Sequence, residues 1–253
     1  MLVETMTPSE RIEEASRLWD RARLVVMHRK DDVYRAGQRA KMFPHFIHPL
    51  THTNKTDGEY TILEIYMNEE MARMHLTSPH VIKQMCDWST RPMLILERRI
   101  NDDMLIFEVT PHAMKRFRER AKQTEATRLD IAKIMSVDIY TYMSRSQNVL
   151  FRNMQKMPQS VIKQAKKHIT PGWEVALQGS RYGLWLCESM CDGCYIRVKS
   201  FVDSSELFGA QDDIRKAGKS FYDYLRLACP LSVQSEVANM DYIKAKQKNL
   251  YRK

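Results

Sequence analysis

A chain of 253 residues, 43% hydrophobic and 28% charged, has globular composition and enough length for one large domain or two small ones. No stretch approaches the roughly 18 to 20 consecutive apolar residues of a membrane span, so no membrane segment is expected. The formal charge of +9 at pH 7 favours polyanionic partners such as nucleic acid or an acidic protein.

Thr7-Pro8-Ser9-Glu10 predicts the first helix. Thr7 caps it, Pro8 suits the first helical position, and Glu10 completes a capping box. Ile12, Ala15, Leu18, Trp19, Ala22 and Val26 follow at helical spacing. Residues 41–60 read as a loop, broken by Pro44 and Pro49 and by the polar turn Asn54-Lys55-Thr56-Asp57-Gly58. Tyr60 to Met67 alternates like a strand. Asn68 caps a short helix, and Ser78-Pro79 is expected to open another, ending near Trp88.

Met93 to Arg99 and Met104 to Val109 form a hairpin across Asn101-Asp102-Asp103. Helices are expected from Pro111 to about Lys122, Leu129 to Met143 and Pro158 to His168. Three strands follow: Trp173 to Leu177, Tyr182 to Glu188 and Cys194 to Val202, the last two turning near Asp192-Gly193. Ser204 to Ala217, Phe221 to Leu227 and Val233 to Lys246 read as helical. Strands and helices do not alternate regularly, so the fold class is α+β: an antiparallel sheet with helices packed on it and a mainly helical N-terminal part. The division expected is 1–90 as that helical part, 91–230 as the α+β domain and 231–253 as a basic helical tail.

The strongest signal is the helix opened by Thr110-Pro111-His112. His112, Arg116 and Arg120 are spaced by four and share one stripe, with Ala113 and Phe117 beside them as a buried stripe. Free N–H groups of the first turn and the positive end of the helix dipole suit a phosphate. His112 can move a proton near neutral pH, while Arg116 and Arg120 can hold phosphate oxygens. The competing reading is a solvated helix face, with Lys115 and Glu119 as an exposed ion pair.

Val109-Thr-Pro-His-Ala-Met-Lys-Arg-Phe-Arg-Glu-Arg120 resembles the His-Ala-x-x-Arg-x-x-x-Arg helix of ribonuclease-toxin-like domains of the RelE and BrnT group, within the barnase, EndoU, colicin and RelE-like assemblage. Gly183-Leu-Trp-Leu-Cys187 and Cys194-Tyr-Ile-Arg-Val-Lys-Ser-Phe-Val202 are similar to the antiparallel strands that follow in such domains. The resemblance covers about residues 93–210. It implies a helix-plus-sheet domain that cleaves RNA through the 2′-hydroxyl without metal, with His112, Arg116 and Arg120 catalytic and Lys115, Arg197 and Lys199 on the RNA. The long N-terminal extension fits a viral, phage or mobile-element protein.

Five cysteines, an odd and scattered set, argue against a disulfide framework and for a reducing, cytoplasmic setting. The residues Met1 to Glu14 lack the basic and apolar regions of a secretory signal. Cys187, Cys191 and Cys194 form the tightest cluster and, with His168, are candidate zinc ligands; the competing reading is paired or ordinary thiols flanking a hairpin turn. His45, His48 and His52 lie in a proline-broken stretch that does not fix metal spacing. No nucleotide loop, zinc-protease helix or nucleophile elbow occurs, and no cofactor is expected. The expectation is therefore an RNA-binding or metal-independent RNA-cleaving protein; the alternative is a non-enzymatic interaction or structural protein carrying a degenerate form of the fold. Seventeen methionines, suited to adaptable contact surfaces, motivate that alternative. Oligomeric state is not legible.

Overall fold

The computed structural model describes residues 1–84, 91–98, 103–143, 169–207 and 212. Helix α1 (Pro8–Met27) begins at the expected capping box: the Thr7 hydroxyl accepts from Glu10 N, and Thr7 N donates to the Glu10 carboxylate at 2.7 Å. Its inward stripe, Ala15, Leu18, Trp19 and Ala22, is buried. Helix α2 (Lys30–Arg39) follows almost directly. It carries acids in its first turn and Arg39 in its last, as the helix dipole favours, and rests Val33 and Ala36 on the core.

The segment expected as a loop holds two short strands, β1 (His45–Phe46) and β2 (Leu50–Asn54). Both pair with β3 (Gly58–Tyr66). The turn signal within that segment was sound. Asn54 Oδ1 accepts from Thr56 N and Asp57 N, and Gly58 takes φ +66°, so the turn joins two strands rather than marking open loop. Helix α3 (Glu69–Arg73) is capped by Asn68, whose side chain accepts from Met71 N at 2.8 Å.

Ser78-Pro79 does not start a helix; it starts strand β4 (Ser78–Gln84). A missing N–H is tolerated at either kind of start. Pro79 sits opposite Glu64 of β3, before the pairing with β5 begins at Val81. Val81 and Ile82, β-branched and buried on opposite faces, then favour the strand. Strands β5 (Met93–Arg98) and β6 (Met104–Val109) form the expected hairpin, and α4 (Pro111–Arg120) and α5 (Arg128–Met143) follow it. Strands β7 (Glu174–Ser180), β8 (Gly183–Met190) and β9 (Tyr195–Asp203) complete the sheet. Gly183 admits no side chain, since a Cβ there would fall 2.0 Å from Val202 O. Residues 204–207 form a turn rather than the first turn of a helix. The helices expected over 158–168, 221–227 and 233–246 lie outside the described residues.

The strand order is β1-β3-β4-β5-β6-β9-β8-β7, antiparallel throughout except for β6 with β9. Residues 1–84 therefore supply β1–β4 as well as three helices, and the β4–β5 pairing carries the sheet past residue 90 without a break. One face, with Leu63, Ile65, Ile82, Ile95, Phe107 and Val198, packs against α4 and α5. The other, with Tyr60, Ile62, Val81, Leu94, Ile106 and Tyr195, is covered by α1.

Helix α5 reveals the sheet's curvature. Lys133 Nζ lies 5.7 Å from the ring centroid of Phe46 in β1. Asp138, little more than one turn on, accepts from Trp185 Nε1 of β8 at 3.0 Å, and its carbonyl accepts from Gln178 of β7 at 2.9 Å. Those five residues rise about 7.5 Å, whereas β1 and β7 would lie roughly 33 Å apart on a flat sheet at ~4.7–4.9 Å per strand. The sheet curves toward α5, which touches both of its wings.

Candidate nucleic-acid interface

Helix α4 is fixed at its first residue. Thr110 accepts from Ala113 N at 3.2 Å, and both its N–H and its hydroxyl donate to Val198 O, at 3.2 and 2.9 Å. Pro111 occupies the next position, where no N–H is needed. Ala113, Met114 and Phe117 point inward. Phe117 stacks on Trp185 at 5.0 Å and meets Phe201 edge-on at 5.0 Å, so the inner face is locked by aromatic packing.

The outer face carries the predicted stripe. His112 and Lys115 are exposed and Arg116 is 42% exposed. Lys115 and Arg116 share Glu119 at 3.9 and 3.6 Å, loose surface pairs of small energetic weight. Arg120 differs: it donates to Glu206 at 2.7 Å and to Phe201 O at 3.2 Å, tying the end of α4 to the end of β9. Of the three stripe residues, His112 and Arg116 remain open to a ligand, while Arg120 is bound within the fold.

Arg197 and Lys199 do not join them. In the β6–β9 pair Arg197 stands opposite Glu108, whose neighbours Phe107 and Val109 face the α4 side. Arg197 and Lys199 therefore lie on the α1 side, with the sheet between them and His112. There Arg197 Nε binds Glu108 at 3.2 Å, Arg197 Nη1 binds Glu188 at 3.1 Å, and Lys199 binds Glu188 at 3.2 Å. Thr170 donates to Glu188 from both N and Oγ1 at 3.0 Å. Arg11 of α1 reaches Glu108 at 3.0 Å and the Tyr195 hydroxyl at 2.6 Å, and Tyr195 also donates to Glu108. The guanidinium of Arg197 lies 4.3 Å from the Trp173 ring centroid.

Burial works to raise the fully buried Glu188 carboxyl, but the Thr170 and Lys199 donors outweigh it and hold the group below its ordinary value. Arg197 behaves in parallel: burial disfavours its charge, and Glu108 more than restores it. Burial and then Glu108 push Tyr195 far up, so it stays a phenol. Sequence reasoning missed Arg11, Glu108, Trp173, Glu188 and Tyr195. The one local signal was Glu108 itself, a lone acid inside the apolar run Met104–Val109.

A second buried acid sits on the α4 side. Burial pushes Asp138 up to about 7, against the opposing hydrogen bonds of Trp185 and Ser180. Of the candidate zinc ligands, Cys187 is buried beside Trp185 in the α4-side core, and burial raises its thiol. Cys191 and Cys194 lie half-buried in the β8–β9 turn, and His168 lies outside the described residues. Among the described residues no three His, Cys, Asp or Glu side chains converge as a metal site. His48 gives its carbonyl to Arg29 at 2.6 Å, and the His52 ring packs 5.2 Å from Tyr60. Among the described residues no helix is long and apolar enough to cross a membrane. Searches against protein families, curated proteins and solved structures find no match to the chain.

Proposed function

We propose that the chain is an RNA-directed protein whose contact surface is the outer face of α4. The observation that carries this reading is the contrast among its cations. His112, Lys115 and Arg116 face solvent on a helix whose inner face is fixed, whereas Arg197 and Lys199 are held by the buried carboxylates of Glu108 and Glu188. A surface of this kind suits phosphates, which position a strand through charge and hydrogen bonds without demanding a sequence. The net charge of +9 adds long-range attraction. Residues 144–168 extend the supply of cations, with six Lys or Arg and no Asp or Glu. Cleavage is the further step within this reading: His112 would move the 2′-hydroxyl proton and Arg116 would hold the charge developing on the phosphate.

The test is RNA binding measured across salt concentrations for wild type, Arg116→Ala and Lys115→Ala, with end-group analysis of RNA incubated with wild type and His112→Ala in chelator. Each lost phosphate contact should lower the slope of log K against log salt by about 0.7 for a single strand. Cleavage leaving 2′,3′-cyclic ends in wild type alone would make His112 part of a ribonuclease. Wild-type affinity and slope retained in both cation variants, with no cleavage, would remove the site.

A second reading, a non-enzymatic interaction protein, is favoured by Leu24, Met27, Tyr34 and Met42, which remain 50–81% exposed on and after α1 and α2. It predicts a concentration-dependent oligomer in sedimentation that Leu24→Glu or Met27→Glu disrupts. A strict monomer would dismiss the self-associating form.

A further inference from the structure

The cysteines at the tip of the β8–β9 hairpin play no part in the RNA reading. Strand β8 ends at Met190, paired with Tyr195 where β9 begins, so Cys191-Asp192-Gly193-Cys194 is the whole connection. Cys194 N donates to Cys191 O at 2.9 Å and closes a β-turn. Such a turn holds its first and last Cα atoms within about 7 Å, and a disulfide spans Cα separations of about 4.4–6.8 Å. Cys191, Asp192 and Gly193 take φ values of 54°, 51° and 81°, a left-handed path through the turn. Both thiols are half-buried, within reach of small reagents. Cys187 offers the internal contrast: it is only 4% exposed, and burial keeps its thiol protonated and inert.

We infer that Cys191 and Cys194 form a reversible dithiol–disulfide couple, a redox modification site at this hairpin tip. The oxidant is a low-molecular-weight disulfide such as oxidised glutathione. The thiolate of one cysteine attacks it, forming a mixed disulfide and expelling one small thiolate. The thiolate of the second cysteine then attacks the protein-side sulfur and expels the other. One external S–S bond and two protein S–H bonds are lost; one protein S–S bond and two small-molecule S–H bonds are gained, the two protons passing through solvent to the released thiolates.

Two contacts would transmit the change. Cys191 Sγ lies 3.8 Å from Ser9 Oγ in the first turn of α1. Cys194 O accepts from Ile106 N at 2.9 Å, next to the Tyr195 that binds Arg11 and Glu108. The oxidation state of the tip is thus felt where α1 meets the sheet.

The full chain is equilibrated with mixtures of oxidised and reduced glutathione, quenched by alkylation and mapped by peptide mass spectrometry. The expected product is a peptide lacking two hydrogens, with the link placed between Cys191 and Cys194 and Cys187 alkylated only after unfolding. Cys191→Ser and Cys194→Ser should each stop at a single glutathione adduct. Separate adducts on both cysteines of wild type, a link to any other cysteine or between chains, bound zinc protecting both thiols, or no reaction would each overturn the inference.

Discussion

The two faces of the sheet handle charge in opposite ways. Around α4 the sheet surface is apolar and aromatic, with the buried His80–Glu97 pair further along the same face, and the cations stand on the far side of the helix, where water already satisfies them. On the α1 side Arg197 and Lys199 spring from β9 and Arg11 reaches in from α1, and each is met by a buried carboxylate: Arg11 and Arg197 by Glu108, Arg197 and Lys199 by Glu188. Identical residue types are therefore available to a ligand on one face and structural on the other. What separates them is whether the side chain points away from the sheet or into the covered layer beside it.

The sharpest way to break this contrast is to damage the α4 side's aromatic lock. Phe117→Ala should lower unfolding free energy by about 3–5 kcal/mol with an unchanged denaturant slope, because it removes the ring that packs on both Trp185 and Phe201. A loss under about 1 kcal/mol would mean that α4 is not anchored there.

Asp138 gives the next effect, and its sign follows from the direction of its shift. Its folded value near 7 exceeds the ordinary value of 3.8. The folded state thus keeps a proton that the unfolded state has released, and the stability this group contributes at low pH is lost as pH rises through about 7. Asp138→Asn keeps an acceptor for Trp185 and removes the ionisation. Its melting temperature relative to wild type should climb from pH 4 to about 7 and then level, an advantage of at most about 4 kcal/mol at roughly 1.4 kcal/mol per pKa unit. A flat difference across that range would show that Asp138 does not titrate in the folded protein.

On the α1 side, Glu188→Ala removes the acceptor of four donors. The cost should be about 2–3 kcal/mol, below that of a fully buried pair because Arg197 and Lys199 reach solvent in part. Urea unfolding measures it, and a neutral result would demote the network to surface decoration. Smallest of all is Arg116→Ala, which should change stability by less than about 0.5 kcal/mol while lowering RNA affinity and its salt slope. Glu188→Ala should do the reverse, and the crossed pair separates a binding cation from a structural one.

Much of the local structure was legible because its causes are local. The Thr7–Glu10 capping box, the Asn68 cap, the β5–β6 hairpin and the Thr110-Pro111 start of α4 all depend on residues within a few positions of each other. Ser78-Pro79 failed because a proline start is ambiguous between helix and strand. Only its pairing with Glu64, and the strand's burial on both faces, resolve it. Strands β1 and β2 were hidden because short edge strands take their identity from β3. The candidate site was legible where it rests on helical spacing, as for His112 and Arg116. The placement of Arg197 and Lys199 beside them was not, because strand faces follow from register. That register comes from a parallel pairing with β6 across α4, α5 and all that lies between, and a bulge at Leu186/Cys187 shifts it further along.

That parallel pairing also sets an order of assembly. Strands β3 to β6 are antiparallel neighbours in sequence and can zip together over short connections. Strand β9 must find β6 from far along the chain, and the entropy of closing so long a loop comes due before any contact rewards it. Helix α1 is drawn into the late step as well, since the groups it grips, Glu108 and Tyr195, belong one to each partner. The first-synthesised helix should thus be among the last to seat, and pulse-labelled hydrogen exchange during refolding would find amides of β4 and β5 protected before those of α1.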